Sequence, residues 1–177
     1  MARTALILSS LRAVEPFQGR TRAQKILYLA NICGWNVIDD YRYYNYGPYS
    51  DEVATELDNS HTNGWVEERA FQTHDENIAY SYVLTKPGRR VADNLAARLD
   101  DPKFVQRTQN LVRELHKFSS EDLEIMATLV FLRKNEQLPS DDDLVERVAE
   151  LKPRYDMERI RQNLRVFNII RNFGYKD

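Results

Sequence analysis

The sequence predicts an α+β fold that is mostly α: a winged helix-turn-helix-like N-terminal half with a β-hairpin wing, followed by an all-helical C-terminal half. The helical period recurs in three segments before Gly64. Two β-type runs, Trp65 to Phe71 and Ile78 to Leu84, then flank the polar stretch Gln72-Thr73-His74-Asp75-Glu76-Asn77, which reads as a hairpin tip. Beyond Pro102 only helical patterns occur. The expected units are therefore 1–99 and 100–177, divided at Asp100-Asp101-Pro102, the second either standing apart or packed on the first as one unit.

The first helix is expected from about Thr4 to Glu15, with Leu6, Leu8, Leu11 and Val14 inward, stopped by Pro16 and Gly19. The second opens at Thr21, where Thr21 and Gln24 have the spacing of a capping box. Its apolar face is Ile26, Leu27, Leu29, Ala30 and Cys33. Val37 to Tyr46 reads as extended and aromatic, with Tyr41 and Tyr43 on one face and Tyr44 and Tyr46 on the other. Ser50 caps a third helix whose first turn holds Asp51 and Glu52, the sign that the helix dipole favours there. Thr85 to Gly88 leads into a fourth helix ending near Leu99. Four more follow, about Lys103 to Lys117, Ser120 to Asn135, Ser140 to Leu151 and Asp156 to Asn172. Ser119 with Asp122 and Ser140 with Asp143 mark two of their starts.

The bulk numbers exclude several classes. At 177 residues the chain can bury one sizeable core, or two small ones sharing an interface. Its formal net charge of -2 supplies no broad positive field for nucleic acid. A single cysteine, Cys33, excludes a disulfide framework and a thiolate metal site. No apolar run reaches the roughly 18 residues that cross a bilayer. Thr4 to Val14 is broken by Ser9, Ser10 and Arg12, unlike a signal peptide. The expectation is a cytoplasmic protein away from the membrane.

Three motifs carry a family resemblance: Arg20 to Leu29 with its Gln24-Lys25 pair, Tyr44-Asn45-Tyr46-Gly47-Pro48-Tyr49-Ser50, and Tyr82-Val83-Leu84-Thr85-Lys86-Pro87-Gly88. In this order, across roughly residues 4 to 95, the chain resembles the YwgA-like proteins. It is similar, more distantly, to the Panacea-domain proteins, which include SocA-like antitoxins. The resemblance implies a winged-helix-like domain in a prokaryotic or phage setting. The Panacea side of it implies neutralisation of a partner toxin, in one route as a proteolytic adaptor, so that the partner is a toxin or a protease component.

Five tyrosines fall within nine residues from Tyr41 to Tyr49. Tyrosine joins an apolar ring to a polar tip, which suits a half-wet interface. Three readings stand. In the first, Tyr28, Trp35, Tyr44 and Tyr46 fill core space. In the second, Tyr41, Tyr43 and Tyr49 anchor a protein partner. In the third, the rings stack on single-stranded nucleic acid, for which flanking cations are few. The expected partner-binding set is Tyr41, Tyr43, Tyr44, Tyr46, Gly47, Pro48, Tyr49, Asp51 and Glu52, whose acids suit a basic partner surface.

The alternative is a DNA-binding regulator, working as a homodimer, that uses its wing and Arg20, Arg22, Lys25, Arg42, Lys86, Arg89 and Arg90. Against it, the third helix offers Asp51, Glu52, Glu56 and Asp58 where phosphates would lie, and no Lys or Arg between Ser50 and Thr62. Catalytic signals are weak: His61, His74 and His116 stand far apart and no HExxH or CxxC spacing occurs. Asp141 to Asp143 with Glu146 reads as a charged helix start rather than a metal site. No enzyme activity, metal or cofactor is expected.

Overall fold

A helix buried around its whole circumference must be surrounded, and the middle of α1 (Ala2–Ala13) is such a stretch: every residue from Ala5 to Leu11 is buried, Ser9 and Ser10 included. Around it pack α2 (Arg20–Ala30), α3 (Asp51–Thr62), α4 (Lys86–Ala96), α5 (Pro102–His116) and β5 (Ile78–Leu84). These elements come from a computed structural model that describes residues 1–72, 78–99 and 101–176. Of the expected hairpin tip, residues 73–77 lie outside the described residues, as does Asp100 of the expected boundary.

β5 is the middle strand of an antiparallel sheet, with β1 (Phe17–Gln18) on one side and β4 (Val66–Gln72) on the other. Tyr82 stands opposite both Phe17 and Glu68. The chain leaves β5 through a side-chain cap on α4. Thr85 Oγ1 accepts from the Gly88 N–H at 3.1 Å and donates to the Gly64 carbonyl at 2.6 Å. A Cβ on Gly88 would lie 1.9 Å from the Trp65 carbonyl oxygen, so only glycine lets the first turn of α4 lie against that backbone.

A second, two-stranded sheet joins β2 (Arg42–Tyr44) to β3 (Gly47–Tyr49), with Tyr43 opposite Pro48. Between α2 and β2 the chain makes a π-helical turn, Asn31–Trp35. The Asn31 side chain closes it by donating to the Ile38 carbonyl and accepting from the Val37 and Ile38 N–H groups.

The C-terminal residues are not laid beside this assembly; they complete it. α6 (Ser120–Asn135) is buried from Leu123 to Val130 and packs on α2 and β3, while α5 packs on α1 and α2. α7 (Asp141–Leu151) and α9 (Arg165–Arg171) pack on α6, and α8 (Met157–Gln162) packs on α7. One contiguous apolar core runs from Ala5 to Tyr175. The described chain is thus mostly helical with small antiparallel sheets, in line with an α+β, mostly α fold.

Two local expectations fail for identifiable reasons. The Thr21–Gln24 capping box does not form: α2 starts at Arg20 after Gly19 with no side-chain cap. Gln24 is instead spent on the chain at Ser50. The single helix expected from Asp156 to Asn172 is two, α8 and α9. At the break, buried Asn163 donates its side-chain amide to the Arg159 carbonyl and to Asp122 Oδ1, at 3.0 and 3.1 Å. A short amide side chain that bonds back to the helix offers the backbone an alternative to continuing it.

Candidate partner-binding groove

Two strands of three residues cannot hold a register alone. The β2–β3 hairpin is held instead by side chains that reach its backbone from both halves of the chain. Gln24 clasps Ser50, donating to its carbonyl at 2.9 Å and accepting from its N–H at 3.0 Å. Lys25 donates to the Pro48 carbonyl at 2.6 Å. Lys152, from the segment after α7, donates to the Asn45 carbonyl at 3.0 Å. Gly47 has φ +86°, in the left-handed region, and a Cβ there would meet Thr128 Oγ1 at 2.7 Å. The exit from the hairpin is capped twice over. Ser50 Oγ accepts from the Val53 N–H at 3.0 Å, and Asp40 takes the Ser50 hydroxyl and, at 2.9 Å, the Glu52 N–H.

This clamping sorts the tyrosines into two groups. Tyr41 and Tyr43 point inward: Tyr41 stacks edge-on to Tyr28 at 4.8 Å, and Tyr43 lies 6.1 Å from Phe131 and beneath the Lys152 ammonium at 5.3 Å. Burial pushes the Tyr43 phenol up to about 12. Tyr44 and Tyr46 point outward, 55% and 53% exposed, and Tyr49 is half-buried beside Tyr44 at 5.9 Å. The alternation is as expected, but the roles assigned to its faces are exchanged. Tyr41 and Tyr43 are packing residues, and Tyr44 and Tyr46, which were candidates for the core, are the accessible rings. Trp35 and Tyr28 are buried.

Between the hairpin, α2, α3 and β5 lies a cavity of about 230 Å³. Tyr44, Tyr46, Tyr49, Tyr82 and Leu57 supply its apolar wall, and Arg20, Thr21, Lys25 and Asp58 its polar one. Tyr46, Arg20 and Thr21 also border an adjoining open depression, with Tyr80, Ile78, Arg22, Arg154 and Tyr155 around it. Ile78 is 70% exposed, so the aromatic surface of Tyr44 and Tyr46 extends onto the end of β5.

Behind the hairpin lies a buried charge cluster that no local pattern signals. Glu124 of α6, 4% exposed, accepts from Lys152 Nζ at 2.7 Å and from Arg154 Nη2 at 2.6 Å. Lys25, 2% exposed, interacts with the same carboxylate at longer range and forms no ion pair among the described residues. Burial pushes its ammonium down to about 8; Glu124 opposes that shift and Lys152 adds to it. Burial lowers the Lys152 ammonium as well.

The acids expected to face a basic partner are largely engaged. Asp51 is paired with Arg42 at 2.6 Å, Glu52 with Arg3 at 2.8 Å, and Glu56 accepts from the Thr4 hydroxyl at 2.7 Å. The expected basic set is dispersed in the same way. Arg20 is paired with Glu68 and lies over the Tyr80 ring, Arg89 is paired with Glu15, and Arg22 donates to the His116 and Phe118 carbonyls at the end of α5. Lys86 and Arg90 are exposed.

Among the described residues no group of three or more His, Cys, Asp or Glu is placed to hold a metal ion, and no helix is long and apolar enough to cross a membrane. Cys33 is buried, and burial pushes its thiol up to about 12. His61 contacts the Val66 carbonyl, and the His116 ring packs on Phe17; His74 lies outside the described residues. Sequence reasoning missed Glu124, Asp40 and Tyr80 in this region. Lys152 and Arg154 read in the sequence as part of an exposed, ion-paired set with Arg159, Arg161, Arg165 and Arg171, whereas Lys152 is buried.

No protein-family model matches the chain. Among curated proteins, the Uncharacterized protein YwgA of Bacillus subtilis (strain 168) is 26% identical over 134 residues, which cover 76% of this chain and 74% of that protein. The Gln24-Lys25 pair and the Tyr44 to Ser50 segment, quoted separately as sequence motifs, are here two sides of one clasp, and the likeness over three quarters of the chain supports a YwgA-like relationship.

Proposed function

We propose that the protein is a non-enzymatic interaction module that holds a partner protein in the groove beside the β2–β3 hairpin. The observation that carries this is the exposure of Tyr44 and Tyr46 on a segment whose backbone is fixed by Gln24, Lys25 and Lys152. Exposed rings on a preorganised backbone lose little entropy on binding and make efficient anchors. The element order α1, β1, α2, α3, β4, β5, with the β2–β3 hairpin inserted between α2 and α3, and the sheet order β1-β5-β4 support a winged-helix-like reading of this half. The more distant likeness to Panacea proteins points to an antitoxin or adaptor role, with a toxin or a protease component as partner. DNA reading draws less support, since α3 lacks cations and Arg20, Arg42 and Arg89 are already paired.

The test is affinity purification of tagged protein from the native cell, with and without nuclease. The expected result is a stoichiometric protein partner that survives nuclease and is lost with Tyr44→Ala/Tyr46→Ala. Recovery only with intact nucleic acid, lost instead with Lys86→Glu/Arg90→Glu, would replace this reading with the regulator.

A further inference from the structure

The charges behind the hairpin do not balance. Lys25, Lys152 and Arg154 face a single carboxylate, Glu124, and Glu124 already accepts from Lys152 and Arg154. Lys25 is left with one hydrogen bond among the described residues, to the neutral Pro48 carbonyl, though an ammonium carries three donors. A buried cation without a counter-ion is costly, so an arriving anion is favoured where it can reach one. Lys25 is also on the wall of the cavity that Tyr44, Tyr46, Tyr49 and Tyr82 line. Arg20 is on that wall as well; Asp58, the acid there, is solvent-exposed.

Size and lining narrow the ligand. The cavity of about 230 Å³ is smaller than the about 300–1,000 Å³ usual for metabolite and drug sites, and suits one side chain. Its wall is mostly ring and aliphatic surface, which suits an apolar group, yet it contains a cation with spare donors. A chain terminus joins these two properties on one residue. We propose that the cavity takes the C-terminal residue of a partner polypeptide, its apolar side chain among the tyrosines and its α-carboxylate toward Lys25. This rests on the interaction reading above and names the chemistry of the partner at that same groove.

The test uses the full chain, labelled with ¹⁵N, and two pools of hexapeptides with an apolar residue in last position, one pool ending in the free acid and one in the amide. The expected result is shifts of the Tyr44 to Ser50 amides with the free-acid pool, at least tenfold weaker binding of the amide pool, and a comparable loss with Lys25→Met. Lys25→Gln, which removes the charge but keeps a donor for the Pro48 carbonyl, provides a second variant should Lys25→Met fold poorly, and is expected to weaken the free-acid pool alone. Equal binding of the two pools would overturn the carboxylate assignment and leave an apolar anchor site. Shifts in neither pool would overturn the inference, while a native partner still lost with Tyr44→Ala/Tyr46→Ala would leave the interaction reading standing.

Discussion

The two hairpins of this protein are built on opposite principles. β4–β5 pairs seven residues with seven, gains β1 as a third strand, and so holds its own register through the ladder. β2–β3 pairs three with three and depends on Gln24, Lys25 and Lys152. The difference teaches that the placement of Tyr44 and Tyr46 is a tertiary property. Lys152 is 107 residues from the Asn45 carbonyl that it holds, so the C-terminal half positions a motif that belongs to the N-terminal one. The long hairpin should tolerate single changes, and the short one should respond to changes far from it.

The strongest way to break this contrast is Glu124→Gln. It leaves Lys152 buried without its ion-pair partner and removes the longer-range attraction on Lys25, for which a loss of about 3–5 kcal/mol is expected. Urea unfolding would measure it, and a loss under 1 kcal/mol would mean that the cluster does not hold the structure. Gly47→Ala comes next. It forces a left-handed residue against Thr128, and an expected destabilisation of about 2–3 kcal/mol combines backbone strain with overpacking. Gly64→Ala is the control: φ there is also positive, but a Cβ would meet nothing within 4 Å, so strain alone remains.

Lys25 gives a pH signature. Its folded pKa of about 8 lies below the ordinary 10.5, so below pH 8 both folded and unfolded chains carry the charge and burial opposes folding. From pH 8 to 10.5 the folded chain releases a proton that the unfolded chain keeps. The contribution to stability therefore rises with pH in that window, by at most about 1.4 kcal/mol per unit. Unfolding at pH 7, 8.5 and 10 should show wild type gaining on Lys25→Met, and parallel curves would place the ammonium in water. Ser50→Ala should cost about 1 kcal/mol as a lost helix cap. Tyr44→Ala and Tyr46→Ala should each change stability by no more than about 0.5 kcal/mol, as exposed residues do.

What the sequence made legible was local. Ser50, Ser119 and Ser140 cap helices as their spacing predicts, because a cap bonds within three residues. The alternation of the tyrosines was legible too, since a strand sends neighbouring side chains to opposite faces. Which face looks inward was not, because that depends on Phe131 and Lys152, supplied from far along the chain. The capping box failed for the same reason: Gln24 had a better use across the fold. Charge counting along α3 misled because Arg3, Thr4 and Arg42 come from other elements to meet its acids.

The central claim is that a hairpin clamped by both halves presents Tyr44 and Tyr46 to a partner protein. The most direct measurement compares partner recovery by wild type, Tyr44→Ala/Tyr46→Ala and Lys86→Glu/Arg90→Glu, after nuclease, with melting temperatures recorded for all three. The account predicts that the tyrosine variant alone loses the partner while melting as wild type does. Retention of the partner by that variant would contradict it.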